Sequence, residues 1–230
     1  MALLHIDGLQ KAYVGPDGSR HQVVDIPRFE LAEGAAVALA GPSGSGKTTF
    51  LNLVAGILAP DAGHVRIDGT DVAQLPEHER DRFRARHVGY IFQTFNLLQG
   101  FTCLENVLLG MSFGHGIDRA RSEALLRRVG LGERLHHFPR QLSTGQQQRV
   151  AVARALAGKP RLVLADEPTG NLDPRHAQEA LALIREVCAE NGSALLLVSH
   201  DRDILARFGM VASLADINRA SRATSSGEAS

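Results

Sequence analysis

The sequence predicts an α/β protein with a mostly parallel core sheet covered by helices on both faces, entered through an antiparallel N-terminal β region. The first observation behind this is a set of short runs rich in β-formers: Ala36 to Ala40, Val88 to Phe92, Leu162 to Ala165 and Leu195 to Val198. They are apolar throughout rather than alternating, the pattern of strands buried on both faces. A second is that helical segments lie between them. A third is that each run stops at chemically loaded residues: GPSGSGKT, then Gln93, then Asp166 and Glu167, then His200. In open α/β sheets ligands bind beyond the carboxyl ends of the strands, so these strands aim polar groups at one edge.

Taken in order, GPDG at 15–18 and HVRIDG at 64–69 read as turns within antiparallel strands. Thr48 to Leu58 carries Leu51, Val54 and Leu58 at helical spacing, and Asp118 to Val129 reads as a capped amphipathic helix stopped by Gly130. Gly145 to Leu156 is a further helix, closed by Gly158 and Pro160. Pro174 to Glu190 starts after Asp173 as N-cap, with Pro174 at its first position, and ends at Asn191 and Gly192. The final RATSSGEAS has the composition of a disordered tail, here assigned to 221–230.

At 230 residues the chain can bury a substantial core as one domain, or as one domain with a subdomain. Hydrophobic residues make up 44%, and 25 Lys+Arg balance 25 Asp+Glu, which argues against a nucleic-acid role driven by overall basic charge. Cys103 and Cys188 fit a reducing compartment, and neither has a partner at metal or redox-motif spacing. The start, MALLHIDGLQKAY, is not expected to be a signal peptide, and runs such as AAVALA and ALLLV fall far short of the ~20 residues of a membrane helix. His136 and His137 are adjacent rather than spaced for a metal and read as a solvated loop pair.

The segment Gly41, Pro42, Ser43, Gly44, Ser45, Gly46, Lys47, Thr48, Thr49 matches the phosphate-loop pattern in full, after an apolar strand and before a helix. Its glycines let backbone N–H groups wrap phosphates, Lys47 reaches the terminal phosphates, and the Thr48 hydroxyl can bind magnesium. A bound nucleoside triphosphate is the expectation. In LVLADEP, adjacent carboxylates at a strand end point different ways, so Asp166 can serve the metal while Glu167 faces an attacking water. The stretch QLSTGQQQR at 141–149 resembles a second phosphate device: Ser143 and Thr144 can cap N–H groups, Gly145 permits close approach, and an apolar stripe runs from Val150 to Leu156.

These motifs, the phosphate loop, Gln93, LSTGQ at 142–146, LVLADEP, Asn171-Leu172-Asp173 and Ser199-His200, occur in the order and approximate spacing of ATP-binding cassette ATPases. The resemblance runs from about Met1 to Leu214 and implies ATP hydrolysis with Mg²⁺ in a 1–220 cassette with a helical insertion at about 94–158 that carries the signature. It makes Tyr13 the residue that stacks on adenine, Gln93 the link between magnesium, water and the transporter interface, and His200 the contact to the γ-phosphate. Asp166 would hold metal, Glu167 would polarise water, and Asp173 would lie in the loop that crosses to a partner subunit. Ser143, Gly145 and Gln146 would cover the γ-phosphate of the partner's ATP in a head-to-tail homodimer, with Arg149 anchoring the signature helix.

The stretch TFNLLQGFTCLENVLLG brings Phe95, Leu97, Leu98 and Phe101 close together, as core or as a groove for a short helix of a membrane partner. With ADEPTGNLD it is similar to the subgroup of lipoprotein-releasing, macrolide-efflux and cell-division ATPases. That implies separately encoded permease subunits, a peripheral location on the inner face of the cytoplasmic membrane, and no nucleic-acid partner; a non-transporting mechanical regulator of cell-division type is the alternative. The chain departs from the pattern in two places. Thr144 stands where the signature usually has glycine, so a positive φ there would be strained, and DRDILARFGMVASLADINRAS lacks the usual strand-turn ending, which leaves the C-terminal strand pairing in doubt.

Overall fold

The structure, a computed structural model, describes residues 2–220, and the chain divides into two compact units, Met1–Asp81 with Leu197–Ser230, and Arg82–Leu196. The tail assigned to 221–230 lies outside the described residues.

In the first unit, β1 (Ala2–Val14) and β2 (Arg20–Ala32) form a long antiparallel hairpin, with Ile6 opposite Phe29 and Leu9 opposite Ile26. Its GPDG turn closes through Gly18 N–H donating to Gly15 C=O at 3.0 Å. After β3 (Ala36–Ala40) and α1 (Lys47–Val54), β4 (Ala62–Ile67) pairs antiparallel with β1. The expected turn in HVRIDG follows, with Asp68 at φ 51° and Gly69 at φ 77°, and leads into β5 (Thr70–Asp71). This sheet runs in the order β2-β1-β4-β5. Its buried face, Leu4, Ile6, Leu9, Val24, Ile26 and Leu31, packs with Phe29 edge-on to Phe50 of α1 at 5.9 Å. Helix α1 ends earlier than the apolar pattern to Leu58 suggests, because Gly56 turns left-handed at φ 67° and the N–H groups of Ile57 and Leu58 both fold back onto Asn52 C=O. Helix α2 (Glu77–His87) spans the division between the units and buries none of its residues.

The second unit opens with β6 (Val88–Ile91), followed by α3 (Cys103–Ser112), whose start is fixed by a reciprocal capping box between Thr102 and Glu105. Helix α4 (Arg119–Arg128) is capped by Asp118, as its sequence predicts, and α5 (Thr144–Leu156) begins at the signature. The apolar run LVLAD becomes β7 (Leu162–Asp166), buried along its whole length and parallel to β6, with Tyr90 opposite Leu164. Helix α6 (Pro174–Glu190) is capped by Asp173 and turns Ala177, Ala180, Leu181, Ile184, Val187 and Cys188 inward. Glycines set the tight packing: a side chain on Gly89 would overlap Ala155 C=O, and one on Gly110 would overlap Arg154 C=O. Arg128 pairs with Glu186 and Glu190 at 2.9 and 2.7 Å, joining α4 to α6.

Strand β8 (Ala194–Ser199), with every residue buried, has residues in both units. The chain then completes the first unit through α7 (Arg202–Leu205), β9 (Val211–Ser213) and α8 (Leu214–Ile217). Strand β9 pairs parallel with β3, Ala38 opposite Val211, so the terminal pairing forms without the usual ending. The buried Asn218 ties this end to β2: its amide oxygen accepts Asp25 N–H at 2.8 Å and its amide nitrogen donates to Val23 C=O at 2.9 Å. The fold is the expected one, an antiparallel N-terminal sheet with parallel strands and helices.

Candidate nucleotide site

In the first unit the phosphate loop joins β3 to α1 and owes its shape to glycines. Gly44 and Gly46 sit at φ 78° and 89°, left-handed values that an L side chain resists, and a Cβ on Gly46 would lie 3.0 Å from Val23 C=O. Lys47 is buried and its ammonium donates to Gly41 C=O at 2.9 Å and Pro42 C=O at 2.8 Å, so its charge is held within the loop. Ser45 Oγ is buried without a hydrogen-bond partner, which costs free energy unless a ligand oxygen satisfies it. Thr48 is exposed at the first turn of α1, where a helix start favours anions and their bound cations. Gly41 N–H donates to Ser199 C=O at 3.2 Å, which brings the end of β8, and with it the exposed His200, to the loop. Tyr13 lies at the turn end of the hairpin, 42% exposed and opposite His21. Loop shape, lysine position and orphan hydroxyl together fit the phosphates of a nucleotide.

In the second unit Asp166 ends β7 and is buried; burial of the Tyr90 phenol, aided by the Asp166 charge, pushes that phenol well above its ordinary range. Glu167 stands at φ 43°, a conformation that costs a non-glycine residue ~1 kcal/mol or more and that collects at functional sites. Gly170 N–H donates to Glu167 C=O at 3.1 Å and closes this turn. A Cβ on Gly170 would lie 3.3 Å from the Gln93 amide nitrogen and 3.8 Å from a Glu167 carboxylate oxygen, so this glycine keeps open the space shared by the two side chains. Asn171 Nδ2 donates to Gln93 C=O at 2.7 Å, fixing the backbone at Gln93. Sequence patterns single out Gln93, Glu167 and Asn171 but not Gly170, whose importance rests on what surrounds a missing Cβ.

The signature forms an N-terminal cap. Ser143 Oγ accepts Gln146 N–H at 3.3 Å and the Gln146 side chain accepts Ser143 N–H at 3.0 Å, a reciprocal capping box. Gln146 is thereby committed to the cap, and helix geometry leaves the N–H groups of Thr144 and Gly145 without an intrahelical acceptor. Thr144 is an ordinary first helical residue and is absent from the left-handed positions among the described residues, so the strain expected there does not arise. The His176 ring lies 3.7 Å from where a Gly145 Cβ would be. His176 Nδ1 bonds Asp173 at 2.5 Å, and this bond, with backbone N–H groups, holds the Asp173 carboxyl below its usual range. Arg149 anchors the helix by donating to Val129 C=O at 3.1 Å.

The apolar stretch after Gln93 divides. Phe95 and Leu97 are 8% exposed and belong to the core, whereas Leu98 and Phe101 are 43% and 41% exposed. His136 and His137 lie in a loop, and no cluster of His, Cys, Asp and Glu among the described residues could hold a metal ion on its own.

A glycine-built phosphate loop beside a strand-end histidine in one unit, and a strand-end carboxylate pair beside a glutamine in the other, define a P-loop nucleoside triphosphatase. The family profile described as ABC transporter matches residues 24–170, and the chain belongs to that family as an ATP-hydrolysing cassette. It is 44% identical over 211 residues to the lipoprotein-releasing system ATP-binding protein LolD 2 of Rhodospirillum rubrum, covering 90% of this chain and 91% of that protein. It is 46% identical to LolD of Anaeromyxobacter dehalogenans, covering 93% and 90%. It is also 42% identical to the macrolide export ATP-binding/permease protein MacB of Syntrophobacter fumaroxidans, covering 89% of this chain but 29% of that longer one. Among solved structures it is similar to the dimeric bacterial ABC transporter cassette MJ0796, with a TM-score of 0.83 and 33% identity over 91% of this chain and 93% of that one. A second structure of that cassette, in a post-hydrolysis state with ADP and Pi, aligns equally well.

Proposed function

We propose that this ATPase works as a head-to-tail homodimer on the inner face of the cytoplasmic membrane and powers separately encoded permease subunits in lipoprotein extraction or a related export. The observation that carries the reading is the pair of unlike phosphate devices on one chain. The phosphate loop holds one ATP, and the Ser143 cap, whose adjacent N–H groups are not used by the helix, covers the γ-phosphate of the ATP on the partner subunit. The names of the relatives, two of them lipoprotein-releasing, support the cargo class, and the dimeric cassette of similar fold supports the assembly.

Within this reading Lys47 holds terminal phosphate oxygens, Tyr13 stacks on adenine, His200 contacts the γ-phosphate, and Glu167 takes a proton from the attacking water while Gln93 orients it. Magnesium fits the hydroxyl of Thr48, the amide oxygen of Gln93 and the carboxylate of Asp166, all hard oxygen donors, and when bound it neutralises phosphate charge. Leu98 and Phe101 supply an apolar surface suited to a short helix of the permease. Among the described residues no helix is long and apolar enough to cross a membrane.

The catalytic assignment is tested by Glu167→Gln. Removing a general base costs ~10²- to 10⁴-fold in rate, so ATP turnover should fall by that factor while ATP still binds. Turnover equal to that of the parent protein would show that Glu167 is not the base.

A further inference from the structure

Two consecutive residues after Gln93, Phe95 at φ 56° and Asn96 at φ 49°, are left-handed, and neither is glycine. Each such position is strained for a residue with a side chain and persists only where surrounding contacts over-determine it. Those contacts come from Arg154, far along the signature helix α5: Nη1 donates to Asn96 C=O at 2.5 Å and Nη2 to Phe95 C=O at 2.6 Å. The guanidinium thus spans both strained peptides at once, a match to its rigid fork that a lysine ammonium cannot reproduce. Burial lowers the Arg154 pKa, a sign that it is withdrawn from water. Close packing of α3 on α5 at Gly110, which leaves no room for a side chain against Arg154 C=O, fixes the helix at this point.

The other end of the turn is pinned as well. Asn106, fully buried on α3, accepts Leu98 N–H at 2.9 Å and donates to the carbonyls of Leu98, Phe101 and Thr102. Gln93 lies two residues before the first pin, and the exposed Leu98 and Phe101 lie at the second.

We infer that Arg154 is a positioning residue: it fastens the turn that carries Gln93 to the helix that begins at the signature, so that the two move as one body. Pressure on Leu98 and Phe101 then reaches Ser143 through a half-buried guanidinium bonded to two carbonyls rather than through a slack loop. This inference rests on the proposed role of Gln93 in ATP turnover, which the experiment tests separately.

The experiment measures ATP turnover against ATP concentration for Arg154→Lys, Gln93→Ala and the double variant, each checked for folding by thermal melt. A misplacement of about 1 Å costs about 10²-fold in rate, so Arg154→Lys should lower kcat at least about tenfold. KM should change by less than about threefold, because the phosphate loop is untouched. If Arg154 acts through Gln93, the double variant is no slower than Gln93→Ala alone. Parental kcat in Arg154→Lys, or losses that multiply in the double variant, would overturn the inference. Parental turnover in Gln93→Ala would instead overturn the Gln93 assignment, and the inference with it. Should Arg154→Lys fail to fold, hydrogen exchange on the parent protein decides: amides of residues 95–98 should exchange as slowly as those of α5, and faster independent exchange would show that the turn is not fastened.

Discussion

The phosphate loop and the signature both lead into helix starts, and in the proposed reading both face phosphate, yet they are built on opposite principles. The first depends on backbone freedom, with left-handed Gly44 and Gly46, Val23 C=O pressed against the place a Cβ would occupy, and a lysine folded onto loop carbonyls. The second is an ordinary capped helix in which a Ser143–Gln146 box satisfies the first turn and no residue needs a positive φ. A loop that wraps several phosphate oxygens has to bend the chain where only glycine goes, whereas a cap that meets one exposed face does not. The difference explains why the signature accepts Thr144 and why the phosphate loop would accept no such change.

The comparison is broken most severely by pairing a lesion in each device. Lys47→Ala should remove ATP binding to the isolated chain altogether. Ser143→Arg should leave that binding within about threefold of the parent and abolish ATP-dependent dimerisation, since a bulky cation then occupies the helix start. Fluorescence titration with an ATP analogue and size-exclusion chromatography with ATP read the two outcomes. A Ser143→Arg monomer that cannot bind ATP, or a Ser143→Arg protein that still dimerises, would erase the distinction.

A smaller effect sharpens it. Because Thr144 has ordinary helical geometry, Thr144→Gly should change ATP turnover by less than about threefold and lower helix stability by a few tenths of a kcal/mol, as glycine is the poorer helix former. A large gain in turnover would mean that Thr144 forces the signature out of its working shape.

Most of the fold is legible in the sequence because apolar runs and capping residues act locally. Asp118, Ser143 and Asp173 cap the helices their positions suggest, and LVLAD becomes a wholly buried strand. The candidate site residues are legible too, Gln93, Asp166 and Glu167 because they sit at or just past strand ends and Lys47 because it opens the helix after the glycine-rich loop. What escapes is long-range or negative. Arg154 lies in an apolar helical stripe and bonds carbonyls nearly sixty residues away, at |i−j| of 58 and 59. Gly170 acts by lacking a side chain between Gln93 and Glu167, and Asn218 ties the C-terminal end to β2 by reaching Val23 and Asp25. The early end of α1 is hidden for a similar reason: the apolar spacing continues to Leu58, but the carbonyl of Asn52 takes the N–H groups of Ile57 and Leu58.

The central claim, that the second phosphate device serves the ATP of another subunit, is tested most directly by complementation. Lys47→Ala and Ser143→Arg chains, each inactive alone, are mixed and assayed for ATP turnover. In a mixed head-to-tail dimer the intact phosphate loop of one chain faces the intact signature of the other, so the mixture should regain turnover through a single complete site. If the mixture stays as inactive as its parents while both chains remain folded, the two devices act on the same chain and the claim is wrong.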